Sequence, residues 1–451
     1  IEMNVEETPE EDIPKVRVKF VTKFDSFRVT DHPIAVPETL GRYGLSEVVN
    51  HLLDPNKNSE NGSESVEEKN RQPIPFDILI NGKFLRTSLL NYLRQNAMGG
   101  EMVLELEYVP ALRQPKEKRK ENQPDWISSL HFLHLDKNIK SCLISSCYDG
   151  CLRLYDEDLK VLHSVIASKQ PINALGIGTF KNDTFLLAGG KEKEITFWNI
   201  LGKESRSFEK LGLFKGHQNS IASIDLSFRN EGGIAASGDW DGRLCLWNMS
   251  SFLDQTPNHS MKKKRTNEGF HDSSVIELEP FADFKAHSQV VSGVCFTGKN
   301  RLCTASYDRS LKIWDVERQD CIHTNSTNKP VICADALPER LGGFVATGHN
   351  DQKIRIWDPR AKAGESFGVA NLASKSGWIY GIRWQEGDFT HIASSSRDGA
   401  LRIWDIRSAG PLHTINAHSG SALCIAWSGE SIASGGEDGV VRTFNTETTY
   451  L

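Results

Sequence analysis

The feature that most constrains this chain is a beat repeated seven times: an acidic residue, an alternating run, and an aromatic six positions on. Ser306 to Asp315, S-Y-D-R-S-L-K-I-W-D, shows it most clearly, with Asp308 leading to Trp314. The same spacing joins Asp149 to Tyr155, Asp241 to Trp247, Asp351 to Trp357, Asp398 to Trp404 and Asp438 to Phe444, and a weaker copy joins Glu192 to Trp198. Asp or Asn follows each aromatic. Successive aromatics lie 43, 49, 67, 43, 47 and 40 residues apart, close to the roughly 40–45-residue period of four-stranded propeller blades. The pattern predicts a mainly β chain with a seven-bladed propeller, and the long gap predicts a large insertion in the fourth blade.

The residues before the repeats follow other periods. Residues 1–14 are acidic and contain Pro, which predicts a flexible leader. Val16, Val18 and Phe20 alternate with charged neighbours as a half-buried strand does, and a second short strand fits Phe27 to Thr30. Leu45, Val48, Val49 and Leu52 make the stripe of an amphipathic helix, with Ser46 as its N-cap. Residues 54–72 are too polar to fold and read as a surface insertion. Phe76, Ile78 and Ile80 lead into Asn81-Gly82, a strong hairpin signal. A short helix fits Ser88 to Gln95, Gly99-Gly100 breaks it, and Met102, Leu104, Leu106 and Tyr108 alternate as a final strand. That order over residues 15–110 is the order of a ubiquitin-like β-grasp domain. Residues 111–125, including R-Q-P-K-E-K-R-K, read as a charged linker, either a solvated tether or a nuclear-import or RNA-touching patch. The propeller then occupies 126–451, with a long polar loop at 250–274.

Composition narrows the function. With 25% charged residues and a formal net charge of −6, the chain lacks the basic balance of a protein whose main partner is nucleic acid. The run Lys262, Lys263, Lys264, Arg265 in the long loop is a local exception, suited to nuclear import, weak RNA contact or solubility. Nine Cys at irregular spacing predict buried reduced thiols of a cytosolic or nuclear protein. No signal-peptide h-region and no apolar run of about 18 residues are visible, so no membrane partner is expected. No nucleophile elbow, phosphate loop, zinc-protease helix or paired C-x-x-C framework is found, and Cys142, Cys147 and Cys151 fall on two neighbouring strands. The expectation is a chain that is not an enzyme and carries no cofactor of its own.

Gly216-His217, Ala286-His287 and Ala417-His418 precede Asp241, Asp308 and Asp438 by 24, 21 and 20 residues. Each pair predicts a buried hydrogen bond, continued through a Ser or Thr of the second strand to the aromatic of the third, that holds the blade turn. His217, Asp241, His287, Asp308, His418 and Asp438 are therefore framework. Binding is expected from the residue just before the turn acid, which points to the top face: Tyr148, Lys191, Trp240, Tyr307, Asn350, Arg397 and Glu437. Trp, Tyr and Arg dominate interface hot spots. The outer strand of the seventh blade is either borrowed from before Trp126 or very short.

Three segments carry a resemblance. R-Y-G-L-S-E-V-V-N-H-L-L (Arg42 to Leu53), P-F-D-I-L-I-N-G-K-F-L-R-T-S-L (Pro75 to Leu89) and G-E-M-V-L-E-L-E-Y (Gly100 to Tyr108) resemble the Notchless-like N-terminal domain. Followed by seven WD repeats, the chain from Val16 onward resembles the WD-repeat ribosome-biogenesis factors of the pescadillo and block-of-proliferation complex. That resemblance implies a role in maturing the large (60S) ribosomal subunit and in pre-rRNA processing, in the nucleolus and nucleoplasm. It implies a propeller docked on the block-of-proliferation partner beside the pescadillo protein, on the pre-60S particle. It also implies a ubiquitin-like domain gripped by the adhesion-type metal site of the AAA ATPase midasin, with Glu101 as ligand to the Mg²⁺ held there. A Notchless-type factor, with a longer propeller, and a WD-repeat substrate receptor of a ubiquitin ligase are the competing readings.

Overall fold

The computed structural model describes residues 14–53, 73–97, 102–133, 141–181, 183–201, 207–229, 232–250, 276–361, 368–373, 377–408 and 410–446. Contacts divide the chain into two units, with the boundary between Arg113 and Gln114.

In the first unit the strands β1 (Lys15–Val21), β2 (Ile34–Pro37), β3 (Phe76–Ile80), β4 (Lys83–Phe84) and β5 (Leu104–Pro110) form one sheet in the order β2-β1-β5-β3-β4. The central β1–β5 pair is parallel and the others are antiparallel, the pairing of a β-grasp. Helices α1 (Arg42–Leu53) and α2 (Leu89–Gln95) join the sheet, and Leu45, Val49, Leu89 and Leu93 pack with Val16, Val18, Phe76, Ile78, Leu106 and Tyr108. Asn81 and Gly82 both take positive φ, +51° and +72°, as a two-residue turn matched to strand twist requires. Ser88 caps α2, its side chain accepting from the Asn91 N–H.

Two local expectations are corrected. Phe27 to Thr30 is not a strand, because Asp25–Phe27 forms a 3₁₀ turn and the Tyr108 hydroxyl bonds this segment from the sheet, donating to Phe27 O at 2.6 Å and accepting the Val29 N–H at 3.1 Å. Ser46 lies inside α1 rather than at its cap, and its hydroxyl accepts the Phe76 N–H at 2.9 Å, tying helix to sheet.

The second unit is a ring of seven sheets. From the inner strand outward, blade one is Ile127–Leu133, Cys142–Cys147, Cys151–Tyr155 and Val161–Ile166, and the others repeat this order. All seven beat aromatics fall on third strands, where six are buried and Trp357 is half-buried. The charged linker is itself a strand: β6 (Lys116–Asn122) pairs antiparallel with Val440–Asn445 and supplies the fourth strand of blade seven. Residues 116–122 are therefore not a free tether. Their charged side chains stand out to solvent while the backbone is spent on the ladder.

The long insertion belongs to blade three, not blade four. It follows the third strand, Arg243–Asn248, and precedes the fourth, Ala282–Lys285, which pairs back onto it. A gap measured between third-strand aromatics cannot tell the end of one blade from the start of the next. Before rejoining blade three, Ile276–Leu278 runs parallel to Ser207–Phe214 and adds a fifth strand to blade two.

Candidate functional site

The His and Asp residues are framework, with one exchange. In blade four, His287 Nδ1 meets Asp308 Oδ2 at 3.0 Å, His287 Nε2 meets Thr304 Oγ1 at 2.8 Å, and the Trp314 indole donates to the same Oγ1 at 2.8 Å. Blade seven repeats this with His418, Asp438 and Ser434 at 2.9 and 2.8 Å, while Phe444 brings no indole. In blade three His217 pairs with Asp239 at 3.0 Å instead of Asp241. Asp239 is fully buried and also accepts the N–H groups of Asp241 and Arg243 at 3.0 and 2.9 Å. The acceptor position under the histidine is thus filled from the strand end, and Asp241 is left exposed with Asn219 Nδ2 at 2.9 Å.

Three blades without that histidine use arginine. Arg153, Arg355 and Arg402 each stand four positions after the turn acid and pair with it, as Asp149, Asp351 and Asp398 respectively. The D-x-x-x-R spacing was visible in the sequence and would have found all three. Burial holds His287 and His418 below the usual histidine range, against the pull of their Asp partners, and takes His349 down to about 4. An imidazole that is neutral, buried and bonded at both nitrogens cannot collect a proton from a substrate. Burial likewise pushes the Cys147 thiol up to about 11 and Cys333 and Cys424 up to about 12, and none of the nine Cys is in a disulfide. Among the described residues no group of three or more His, Cys, Asp or Glu could hold a metal ion.

The inner strands surround a channel of about 940 Å³. Arg383 crosses it, donating to Asp335 at 2.9 Å and to His131 Nε2 at 3.2 Å. Asp225 and Asp335 each reach the next blade by accepting a backbone N–H: Phe296 at 2.7 Å and Trp384 at 2.9 Å respectively. These carboxylates stitch inner strands together. Burial, followed by the nearby Arg383 charge, holds His131 well below its ordinary value, so it accepts from the guanidinium as a neutral ring.

The top face is the remaining candidate. In six blades the residue before the turn acid donates its N–H to the carbonyl of the residue that introduces the inner strand: Tyr148 to Trp126, Lys191 to Pro171, Trp240 to Ser220, Tyr307 to Val290, Arg397 to Trp378 and Glu437 to Ser421, at 2.8 to 3.2 Å. Two rows of residues therefore share that rim, and the sequence reading named only one. Trp126 and Trp378, both 42% exposed, belong to the missed row. Trp240 is 56% and Tyr307 39% exposed, Lys191 and Arg397 are exposed, and Tyr148, Asn350 and Glu437 are half-buried. Arg397 lays its guanidinium over the Trp378 ring, 5.4 Å from the centroid, and Trp126 meets Tyr148 at 5.5 Å. Such rings cost free energy when wet and repay it when covered by a partner.

Glu101 and Lys262, Lys263, Lys264 and Arg265 lie outside the described residues.

Comparison with known proteins agrees with both units. Residues 16–93 match the NLE (NUC135) domain, and residues 208–248, 278–315, 369–405 and 409–445 match the WD domain, G-beta repeat. A ribosome biogenesis protein WDR12 homolog from Chlamydomonas reinhardtii is 32% identical, over 96% of this chain and 98% of its own length. The chain belongs to the WDR12/YTM1 family of ribosome biogenesis proteins. The WDR12 homolog of Arabidopsis thaliana is 31% identical over 95% of the chain and 96% of its own, and the YTM1 protein of Candida albicans 29% over 94% and 95%. The four matched WD repeats are the inner three strands of blades three, four, six and seven with the outer strand before each.

Proposed function

We propose that this chain is a non-enzymatic assembly factor of the large ribosomal subunit, working in the nucleolus and nucleoplasm through two binding surfaces. The observation that carries this reading is the pairing of an NLE-type β-grasp unit with a seven-bladed ring whose buried His and Asp residues are consumed as framework and whose top rim is aromatic. The relatives named for ribosome biogenesis span nearly the whole chain, which supports carrying the role across both units.

In this reading the rim of Tyr148, Trp240, Tyr307, Arg397 and Glu437 docks the block-of-proliferation partner, which with the pescadillo protein holds the factor on the pre-60S particle. The ubiquitin-like unit presents Glu101 to Mg²⁺ in the adhesion-type site of midasin, for release. Mg²⁺ favours hard oxygen ligands in octahedral geometry, so a carboxylate from one protein can complete the coordination of an ion held by another. The Lys262 to Arg265 run serves import or a weak RNA contact. Affinity purification of the tagged chain followed by mass spectrometry tests the proposal. Recovery of pescadillo, block-of-proliferation and midasin proteins is expected, and recovery of ubiquitin-ligase subunits in their place would overturn it.

A further inference from the structure

Ring closure creates a surface that no single repeat contains. Gln123, just after the closing strand β6, donates to Gly439 O at 2.6 Å, bringing Asp125 and Trp126 beside the blade-seven turn that carries Glu437. Across that seam Trp126 faces Tyr148, centroids 5.5 Å apart and planes inclined by 38°. Asp125 is exposed, its Oδ1 accepting the Trp126 N–H at 2.8 Å, and Glu437 is steadied by the Ser421 N–H at 3.1 Å on Oε2. Among the described residues neither carboxylate has a basic partner, and the Tyr148 hydroxyl has no hydrogen-bond partner. Burial raises the Tyr148 phenol above its ordinary value, and both carboxylates add to the rise, which places them within electrostatic reach of the ring.

We propose that this seam on the top face, between blades seven and one, is a docking site for a lysine or arginine side chain of a partner protein, held between the Trp126 and Tyr148 rings and the carboxylates of Asp125 and Glu437. The proposal rests on the reading that the top face binds a protein partner. Indole and phenol faces attract ammonium and guanidinium groups, and carboxylates add charge-assisted hydrogen bonds. The neighbouring blade shows the same chemistry filled from within, with Arg397 stacked on Trp378. At the seam the rings stand next to acids and the cation is not supplied by the described residues. Arg397 forms no ion pair with Glu437. An anionic segment would meet two carboxylates, and a purely apolar one would bury them without compensation. A cationic segment would also be drawn toward a chain whose net charge is −6.

The test uses the full chain, tagged and captured from cells, with a photo-crosslinking amino acid at Ser419, an exposed residue beside the seam. The crosslinked partner segment is expected to contain Lys or Arg. Asp125→Lys with Glu437→Lys is expected to cut recovery of that partner about tenfold or more, as is Trp126→Ala, with the melting profile retained. Changing the crosslinked Lys or Arg of the partner to Glu should restore capture by the double-Lys variant, an outcome that a merely misfolded surface could not give. A crosslinked segment without a basic residue, or failure of the charge swap to restore capture, would overturn the seam while leaving top-face binding intact. Partner capture without any crosslink from Ser419 would remove both readings.

Discussion

The His217 ring is bonded to Asp239, 3.0 Å away, and Asp241, the acid at the position that serves in blades four and seven, is exposed. Asp239→Ala should therefore destabilise the propeller by about 2–4 kcal/mol, by stripping buried donors of their acceptor. Asp241→Ala should stay within about 0.5 kcal/mol, as exposed substitutions do. Ser237→Ala should resemble Asp239→Ala, since the His217 ring and the Trp247 indole share its hydroxyl at 2.6 and 2.9 Å. Denaturant melts of the three variants rank them, and a larger loss for Asp241 than for Asp239 would refute the assignment.

Acid should weaken the ring in two stages. His287, His349 and His418 titrate lower in the folded chain than the ordinary value near 6.5, so below that pH the unfolded chain binds more protons. Their contribution is complete above about pH 6.5 and is lost as pH falls, for His349 down to about 4. Asp239, Asp308 and Asp438 are held below the usual carboxylate range. Burial alone would raise them, but histidine, backbone and hydroxyl donors more than offset it. Their share is present above about pH 4 and lost below it. Melting temperatures at pH 8, 6, 5 and 4 should show a decline that begins near 6.5, and His349→Gln should make its first part shallower.

Asp225 has the opposite sign. Burial in the channel raises its carboxyl to about 6, although the Phe296 and Leu226 N–H groups and Arg383 pull it down. A raised folded value favours the native state below the unfolded pKa and loses that advantage as pH rises through about 6. Asp225→Asn keeps an acceptor for the Phe296 N–H and removes the charge. It should stabilise the protein at pH 8 by about 1–2 kcal/mol, allowing for screening by channel water, and by less at pH 5. Calorimetry at the two values decides, and equal shifts would refute the assignment.

Removing β6 should open the ring. A chain beginning at Gln123 leaves Val440–Asn445 as an unpaired edge, whereas one beginning at Gln114 keeps the full ladder. The shorter chain is expected to melt several degrees lower and to aggregate on concentration, followed by light scattering. Equal behaviour of the two would show that blade seven needs no fourth strand.

Glu101→Ala and Glu101→Asp should abolish Mg²⁺-dependent binding to midasin and leave binding of the propeller partner unchanged. Pull-down with and without EDTA reads both. Wild-type midasin affinity in both variants would remove the ligand role.

The fold was legible wherever side chains carried the pattern. The seven acid-to-aromatic beats repeat because each aromatic packs on a third strand and each acid stands at the turn before it, as Asp308 and Trp314 show in blade four. Where the backbone carried the information, the sequence misled. Lys116 to Asn122 looks like a linker because a fourth strand at the rim of the ring buries almost no side-chain surface. Phe27 to Thr30 looks like a strand, but a hydroxyl 81 positions away claims its carbonyl. The top-face row of Trp126 and Trp378 was hidden because it lies outside the acid-to-aromatic beat and joins it through backbone hydrogen bonds and ring contacts that the spacing does not show. Asp239 carried a signal after all, since its separation of 22 from His217 is closer to the 21 and 20 of the other blades than is the 24 of Asp241.

The clasp of the ring also sets a timetable for synthesis. Glu117 leaves the ribosome 325 residues ahead of Arg442, its ion-pair partner on the neighbouring strand. At about 5–20 residues per second, β6 waits roughly 16–65 s for its mate. A strand so long unmatched in a crowded cell is an invitation to wrong pairings, and K-E-K-R-K-E-N, all charge but for one Asn, is a composition that declines them.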